Sequence, residues 1–145
     1  MTLPSEIDAL LRNSFAQTYP TGSRFICEPA PTTTDEDYLV VLQKADYIEP
    51  LRTALDAAGF EWDVGEGYEE GTEDQKFWSY RRDDLNLLIT ADHEFARRHK
   101  LATQVCKALN LLEKKDRITV FQALLYDRLA DTVTVILPDL TETLF

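Results

Sequence analysis

The amino-acid sequence predicts one α+β domain, a mixed β-sheet packed by helices with further helices closing the chain. Three observations predict it. Apolar residues recur at helical spacing in four separate segments. Tyr38-Leu39-Val40-Val41-Leu42 is a continuous apolar run, as expected of a strand covered on both faces. The segments alternate as helix, strand, helix, several strands, then helices, which is the order of an α+β protein. The chain has 145 residues, a length that suits a single domain over residues 1–145. The core is expected over about residues 5–91 and a C-terminal helical part over about 92–130, with a final edge strand at 132–137.

In order, Ser5-Glu6-Ile7-Asp8 opens the first helix, with Ser5 and Asp8 in the spacing of a capping box. Ile7, Leu10, Leu11 and Phe15 fall on one helical face. Tyr19-Pro20-Thr21-Gly22-Ser23 breaks that pattern, and a short strand runs either into Gly22 or out through Arg24-Phe25-Ile26-Cys27. Residues 28–34 form a loop stiffened by two prolines, and Asp35 to Leu42 reads as a strand. Ile48, Leu51, Ala54, Leu55 and Ala58 mark the next helix, with Pro50 in its first turn and Gly59 just past its end. Phe60-Glu61-Trp62 reads as a short strand. Phe77-Trp78-Ser79-Tyr80 and Asn86-Leu87-Leu88-Ile89-Thr90 read as strands around a polar Arg81-Arg82-Asp83-Asp84. Asp92 caps a helix carrying Phe95, His99, Ala102, Cys106 and Leu109 inward, and Asn110 ends it. The last helix turns Ile118, Phe121, Leu125 and Leu129 inward.

Composition narrows the function. The net charge is −11, and it is uneven: residues 1–75 hold 16 acids against 4 bases, residues 76–145 hold 10 against 11. Phosphate contacts need cations, so general DNA binding is not expected. Seven bases between Arg97 and Arg117 form either a solvated helix face or a phosphate-facing surface. Residues 63–75 carry six acids, no base and three of the five glycines, the composition of an exposed loop that either stays solvated or closes over a ligand. No apolar run reaches the length of a membrane span, and the first residues lack a secretory pattern. Cys27 and Cys106 make no disulfide framework and read as buried thiols of a cytoplasmic protein. His93 and His99 are six apart and make no metal pair; His99 lies on the apolar stripe as a core residue. Trp62, Tyr68, Trp78 and Tyr80 read as core aromatics rather than a base-stacking platform.

Chemistry concentrates at Gly22-Ser23 and, eleven residues on, Asp35-Glu36-Asp37. In a strand Asp35 and Asp37 project from one face, where their charges repel unless a cation or solvent neutralises them. Mg²⁺ favours one or two carboxylates together with phosphate oxygens. Alone, such a pair reads better as a polar start to a strand. The upstream Gly22 allows a tight turn and close approach of a ligand, Ser23 offers a hydroxyl for phosphate oxygens, and Arg24 adds a cation.

Taken together, this stretch resembles the signature of the DNA polymerase β-like nucleotidyltransferase superfamily: a Gly-Ser turn, a short spacer, then Asp-x-Asp on a strand. More closely, Gly22-Ser23-Arg24, Thr34 to Tyr38, Asn86 to Thr90, and Asp116-Arg117-Ile118 with Phe121-Gln122 are similar to small single-domain nucleotidyltransferase-like proteins of phage genomes. The resemblance implies a minimal nucleotidyltransferase fold. It implies that Gly22 and Ser23 hold nucleotide phosphates and that Asp35 and Asp37 ligate one or two Mg²⁺ ions. It also implies that a nucleoside monophosphate passes from a nucleoside triphosphate to an acceptor, with pyrophosphate leaving. The family's third carboxylate falls at Asn86, which carries no charge and cannot act as a base. Asp84, two residues earlier, is the expected substitute. Arg81 and Arg82 either face the triphosphate or balance the acidic stretch. Asn86 keeps a second reading open, a catalytically silent module that binds a nucleotide or a protein. The acidic first half motivates a third, an interaction protein that mimics nucleic-acid charge. The acceptor (a protein, an RNA end or a small molecule), the base of the nucleotide and the oligomeric state are not readable from the sequence.

Overall fold

A computed structural model of the chain describes residues 2–32, 35–63 and 77–126. Most of the acidic 63–75 stretch, Leu129 and the strand expected at 132–137 lie outside those residues. The described chain runs α1 (Ser5–Asn13), β1 (Ala16–Thr21), α2 (Gly22–Ile26), β2 (Glu36–Leu42), a 3₁₀ turn (Ala45–Tyr47) and α3 (Ile48–Ala57). It continues with β3 (Glu61–Asp63), β4 (Trp78–Arg82), β5 (Leu85–Thr90), α4 (His93–Leu109) and α5 (Lys114–Tyr126). The α+β expectation holds: five strands form one mixed sheet in the order β1-β2-β5-β4-β3, with β2 and β5 parallel and the other pairs antiparallel.

Alternation along β2 explains why its apolar run is continuous. Tyr38, Val40 and Leu42 join Ile7 and Leu11 of α1 and Ile48, Leu51 and Leu55 of α3 on one face. Leu39 and Val41 meet Phe95, Ala102 and Cys106 of α4 and Phe121 and Leu125 of α5 on the other. Two cores therefore sandwich one sheet, and Leu11, Leu51 and Leu55 have no exposed surface. Truncating one such leucine to alanine removes about 2–5 kcal/mol of stability.

Helix ends follow local chemistry, with one departure from expectation. The Ser5–Asp8 capping box does not form. Pro4 holds the cap position in an extended conformation (φ −54°, ψ 141°), and its carbonyl accepts from the Ile7 and Asp8 amides. Ser5 therefore opens the helix, and Asp8 pairs with Arg12 at 3.0 Å. The end of α3 is a Schellman turn: the Gly59 amide donates to the Asp56 carbonyl and the Phe60 amide to Leu55, with Gly59 at φ 90°. Asp92 caps α4 by accepting from the Phe95 amide at 2.9 Å. Asn110 ends α4 in the left-handed region at φ 48°.

Of the two courses left open around Gly22, the strand runs into it, and residues 22–26 are helical. Two details of the sequence reading are corrected. Arg81 and Arg82 belong to β4, because Asp83 takes φ 53° and closes the β4–β5 hairpin with only Asp83-Asp84 between the paired Arg82 and Leu85. Phe15 and Leu109 are exposed, at 63% and 44%. Phe15 itself takes the left-handed region (φ 57°) beyond α1, and burial on α4 stops at Cys106, one turn before the helix does.

Candidate functional site

The strand registers place one polar row across the sheet. Thr21 on β1 pairs with Asp37 on β2, Asp37 with Asn86 on β5, Asn86 with Arg81 on β4, and Arg81 with Glu61 on β3. The row crosses the beginnings of the two parallel strands, on the face that carries α2, α4 and α5 deeper in.

At its centre Asp37 is half-buried and held from two sides. The Asn86 side-chain amide donates to Asp37 Oδ1 at 2.8 Å, and the Asn86 carbonyl accepts from the Ser79 hydroxyl at 2.7 Å. Asn86 is thus locked by Ser79 so that its N–H, and not its oxygen, meets the carboxylate. From the β1 side Gly22 lies against Asp37. Its φ of 76° is left-handed, and a Cβ there would collide with Asp37 Oδ2 and Cγ. Burial pushes the Asp37 carboxyl above its ordinary value of 3.8; the Asn86 hydrogen bond opposes this, the charge of Asp35 adds to it, and Arg81 opposes it again.

Asp35 lies one residue before β2. Its Oδ2 accepts a charge-assisted hydrogen bond from Arg81 Nη1. To make that contact, the Arg81 side chain reaches from β4 across β5. The resulting constellation is two neighbouring carboxylates at the beginning of the parallel strands, one paired with a guanidinium and the other hydrogen-bonded by an amide, with a glycine turn against the second.

Other residues singled out from the sequence sit as follows. Ser23 follows Gly22 in the first turn of α2 and is half-buried. Arg24 Nη1 is 3.6 Å from Glu36, whose position on β2 alternates with Asp35 and Asp37. Asp84 is exposed in the hairpin turn, and its backbone carbonyl accepts from the Glu36 amide at 2.8 Å. It does not complete a three-carboxylate set: among the described residues no group of three or more His, Cys, Asp or Glu side chains is placed to hold a metal ion. Arg82 is turned to the α1 and α3 side. It donates to the Ala58 carbonyl at 3.1 Å, lies 3.6 Å from Glu6 and covers the Phe60 ring. The structure therefore brings together Gly22, Asp35, Asp37, Asn86 and Arg81, and leaves Arg82 on the opposite face.

Several of the bases between residues 97 and 117 have local partners. Arg97 and Arg98 pair with Glu94, Lys100 and Lys107 cover the Tyr19 and Phe25 rings, and Arg117 donates to the Leu111 and Leu112 carbonyls and to Cys27 Sγ. The sequence reading missed Ser79 and Thr103. Ser79 was legible as the polar residue between Trp78 and Tyr80, hence on the Arg81 side of β4. The Thr103 hydroxyl meets Thr21 Oγ1 at 2.7 Å and ties α4 to the residue before the glycine turn, a pairing across 82 residues that no local pattern shows. His99 is buried among Phe95 and Phe121, as expected of a core residue, and burial lowers its pKa to about 3.

No family model matches the chain, and no curated protein matches it. Similar solved structures include terminal uridylyl transferase 4 from Trypanosoma brucei with bound UTP and UpU, at TM-score 0.44 and 11% identity over 72% of this chain. GrpB from Enterococcus faecalis has TM-score 0.48 and 13% identity, covering 84% of this chain and 87% of that one. The Cid1 poly(U) polymerase has TM-score 0.46 and 15% identity over 81% of this chain. The chain spans 38% of the uridylyl transferase and 37% of Cid1.

Proposed function

We propose that the chain is a metal-dependent nucleotidyltransferase, moving a nucleoside monophosphate from a nucleoside triphosphate to an acceptor hydroxyl or phosphate with release of pyrophosphate. One observation carries this reading: the Gly22 turn lies directly against the Asp37 carboxylate, so the two halves of the sequence signature form a single constellation. The resemblance drawn from the sequence supplies the chemistry.

The donor set fits one hard divalent ion shared with phosphate oxygens. Burial and the neighbouring Asp35 charge make Asp37 costly to ionise, and a cation shared by the two carboxylates relieves that cost. With Asn86 in place of a third acid, the set fits one ion rather than two. When bound, Mg²⁺ would offset phosphate charge during transfer. The chain's residues do the rest. Asp35 and Asp37 are the ligands. Asn86, fixed by Ser79, orients the Asp37 carboxylate. Gly22 leaves room for the Asp37 carboxylate beside the turn, and the Ser23 hydroxyl donates to phosphate oxygens.

A second reading, nucleotide binding without transfer, is favoured by Asn86. An amide cannot take the acceptor's proton, and Asp84 stays in its exposed turn. One experiment separates the two. The protein is incubated with Mg²⁺ and α-labelled ATP, CTP, GTP and UTP, and both pyrophosphate and label transferred to protein, RNA ends or small acceptors are measured beside calorimetric binding. Transfer that disappears in Asp35→Asn and Asp37→Asn, with folding intact by circular dichroism, supports the enzyme. Binding without pyrophosphate supports the silent module. Transfer at wild-type level in both variants overturns the site.

A further inference from the structure

Arg81 occupies an unusual place in this site. A row of two acids and an amide could be left to water, yet a guanidinium crosses a whole strand to meet Asp35. Its backbone position is fixed by pairing with Asn86 on one side and Glu61 on the other, so the reach belongs to the fold rather than to a loop. Arg81 and Asp35 are partly exposed, at 40% and 33%, which leaves their contact open to exchange. A divalent ion shared by Asp35 and Asp37 would meet this positive charge at its own ligand.

We propose that Arg81 is a resident counter-cation that competes with a divalent ion for Asp35, and that the phosphates of a metal-bound nucleotide release it by taking the guanidinium themselves. The inference rests on the nucleotidyltransferase reading and adds its regulation: the site is weak for free metal and strong for metal delivered with polyphosphate. Guanidinium suits this exchange, because its fork donates to carboxylate or phosphate oxygens in the same geometry.

The test titrates Mn²⁺ alone, by electron paramagnetic resonance of the free ion, into wild type, Arg81→Gln and the double variant Arg81→Gln/Asp35→Asn. Arg81→Gln removes one charge and frees Asp35, so it should bind Mn²⁺ about fivefold to tenfold more tightly than wild type. The gain should vanish in the double variant. A parallel titration with Mn²⁺ and a non-hydrolysable triphosphate should show Arg81→Gln weaker than wild type. Thermal melts establish that each variant is folded. Unchanged or weaker Mn²⁺ binding in folded Arg81→Gln overturns the inference, as does a gain that persists without Asp35. If wild type releases pyrophosphate but Arg81→Gln gains no Mn²⁺ affinity, only the role of Arg81 falls. If wild type binds no Mg²⁺-triphosphate at all, the enzymatic reading falls, and the Mn²⁺ titration still decides whether Arg81 guards Asp35.

Discussion

Gly22→Ala is the substitution that probes the site's geometry most directly. Gly22 sits at φ 76°, a region that costs an L-residue about 1–2 kcal/mol. The added methyl would also lie 2.8 Å from Asp37 Cγ and 2.9 Å from its Cβ, both closer than a carbon can approach. A clash with the carboxylate oxygen alone could be relieved by a χ rotation. The Asp37 Cβ is fixed to the backbone of β2, which is paired on both sides, so relief requires β1 and β2 to part. Any such shift also stretches the Asn86 to Asp37 hydrogen bond, a charge-assisted contact worth about 1.5–3 kcal/mol. The expected loss is about 2–4 kcal/mol in urea unfolding followed by circular dichroism. Gly22→Ser and Gly22→Asn should rank with it, with Asn the mildest because it tolerates left-handed backbone best. A Gly22→Ala protein within about 0.5 kcal/mol of wild type, the usual range for a neutral surface change, would refute the contact between the turn and the acid.

Three further substitutions probe contacts elsewhere in the fold. Asn86→Asp replaces a donor to Asp37 by a second carboxylate, so stability at pH 7 should fall by about 1.5–3 kcal/mol and recover as pH drops and the pair takes a proton; calorimetric melts from pH 7 to 4 check this. His99 is neutral in the fold with a pKa near 3, whereas the unfolded chain protonates it near 6.5. The unfolded state therefore binds more protons below 6.5, and His99 removes up to about 1.4 kcal/mol of stability for each pH unit lowered from there toward 3. In His99→Gln this part of the acid limb should flatten, and an unchanged limb would count against burial of the neutral ring. Asn110 both takes φ 48° and clamps Glu28, accepting from its amide at 2.9 Å and donating to its carbonyl at 3.0 Å. Asn110→Gly should lose about 0.5–1.5 kcal/mol and Asn110→Ala about 1 kcal/mol more, because only alanine adds left-handed strain; chemical denaturation that ranks alanine above glycine would contradict it.

The parts of this molecule legible in the sequence are those set by neighbours along the chain. The β2 run, the Asp92 cap, the Gly59 stop and the Asn110 terminator each depend on residues within one turn, and each formed where local chemistry put it. Legibility failed where a distant partner decides. Arg81 and Arg82 looked alike as adjacent cations, yet the two-residue hairpin put them in a strand, where adjacent side chains take opposite faces. One then reached Asp35, 46 residues away, and the other covered Phe60. The Gly-Ser turn and the acid pair were visible as a motif, but their contact required β1 to lie antiparallel to β2 with Thr21 opposite Asp37. Sequence alone had also allowed the strand to leave the turn instead of running into it.

Asn86 and Arg81 bear on each other. In a site with three carboxylates, the negative charge would be large enough to draw a metal ion without help, and a guanidinium would be one cation among several. Replacing the third acid by an amide lowers that charge by one, and Arg81 on Asp35 lowers it again. What remains near the row is close to a single uncompensated carboxylate, Asp37, already reluctant to ionise because it is buried. Such a site has little attraction for a bare divalent ion and more for one that arrives with phosphate, whose negative charge both bridges the ion and offers Arg81 a new partner. On the proposed reading, the same two residues that weigh against a two-metal centre favour a site selective for metal–polyphosphate over metal.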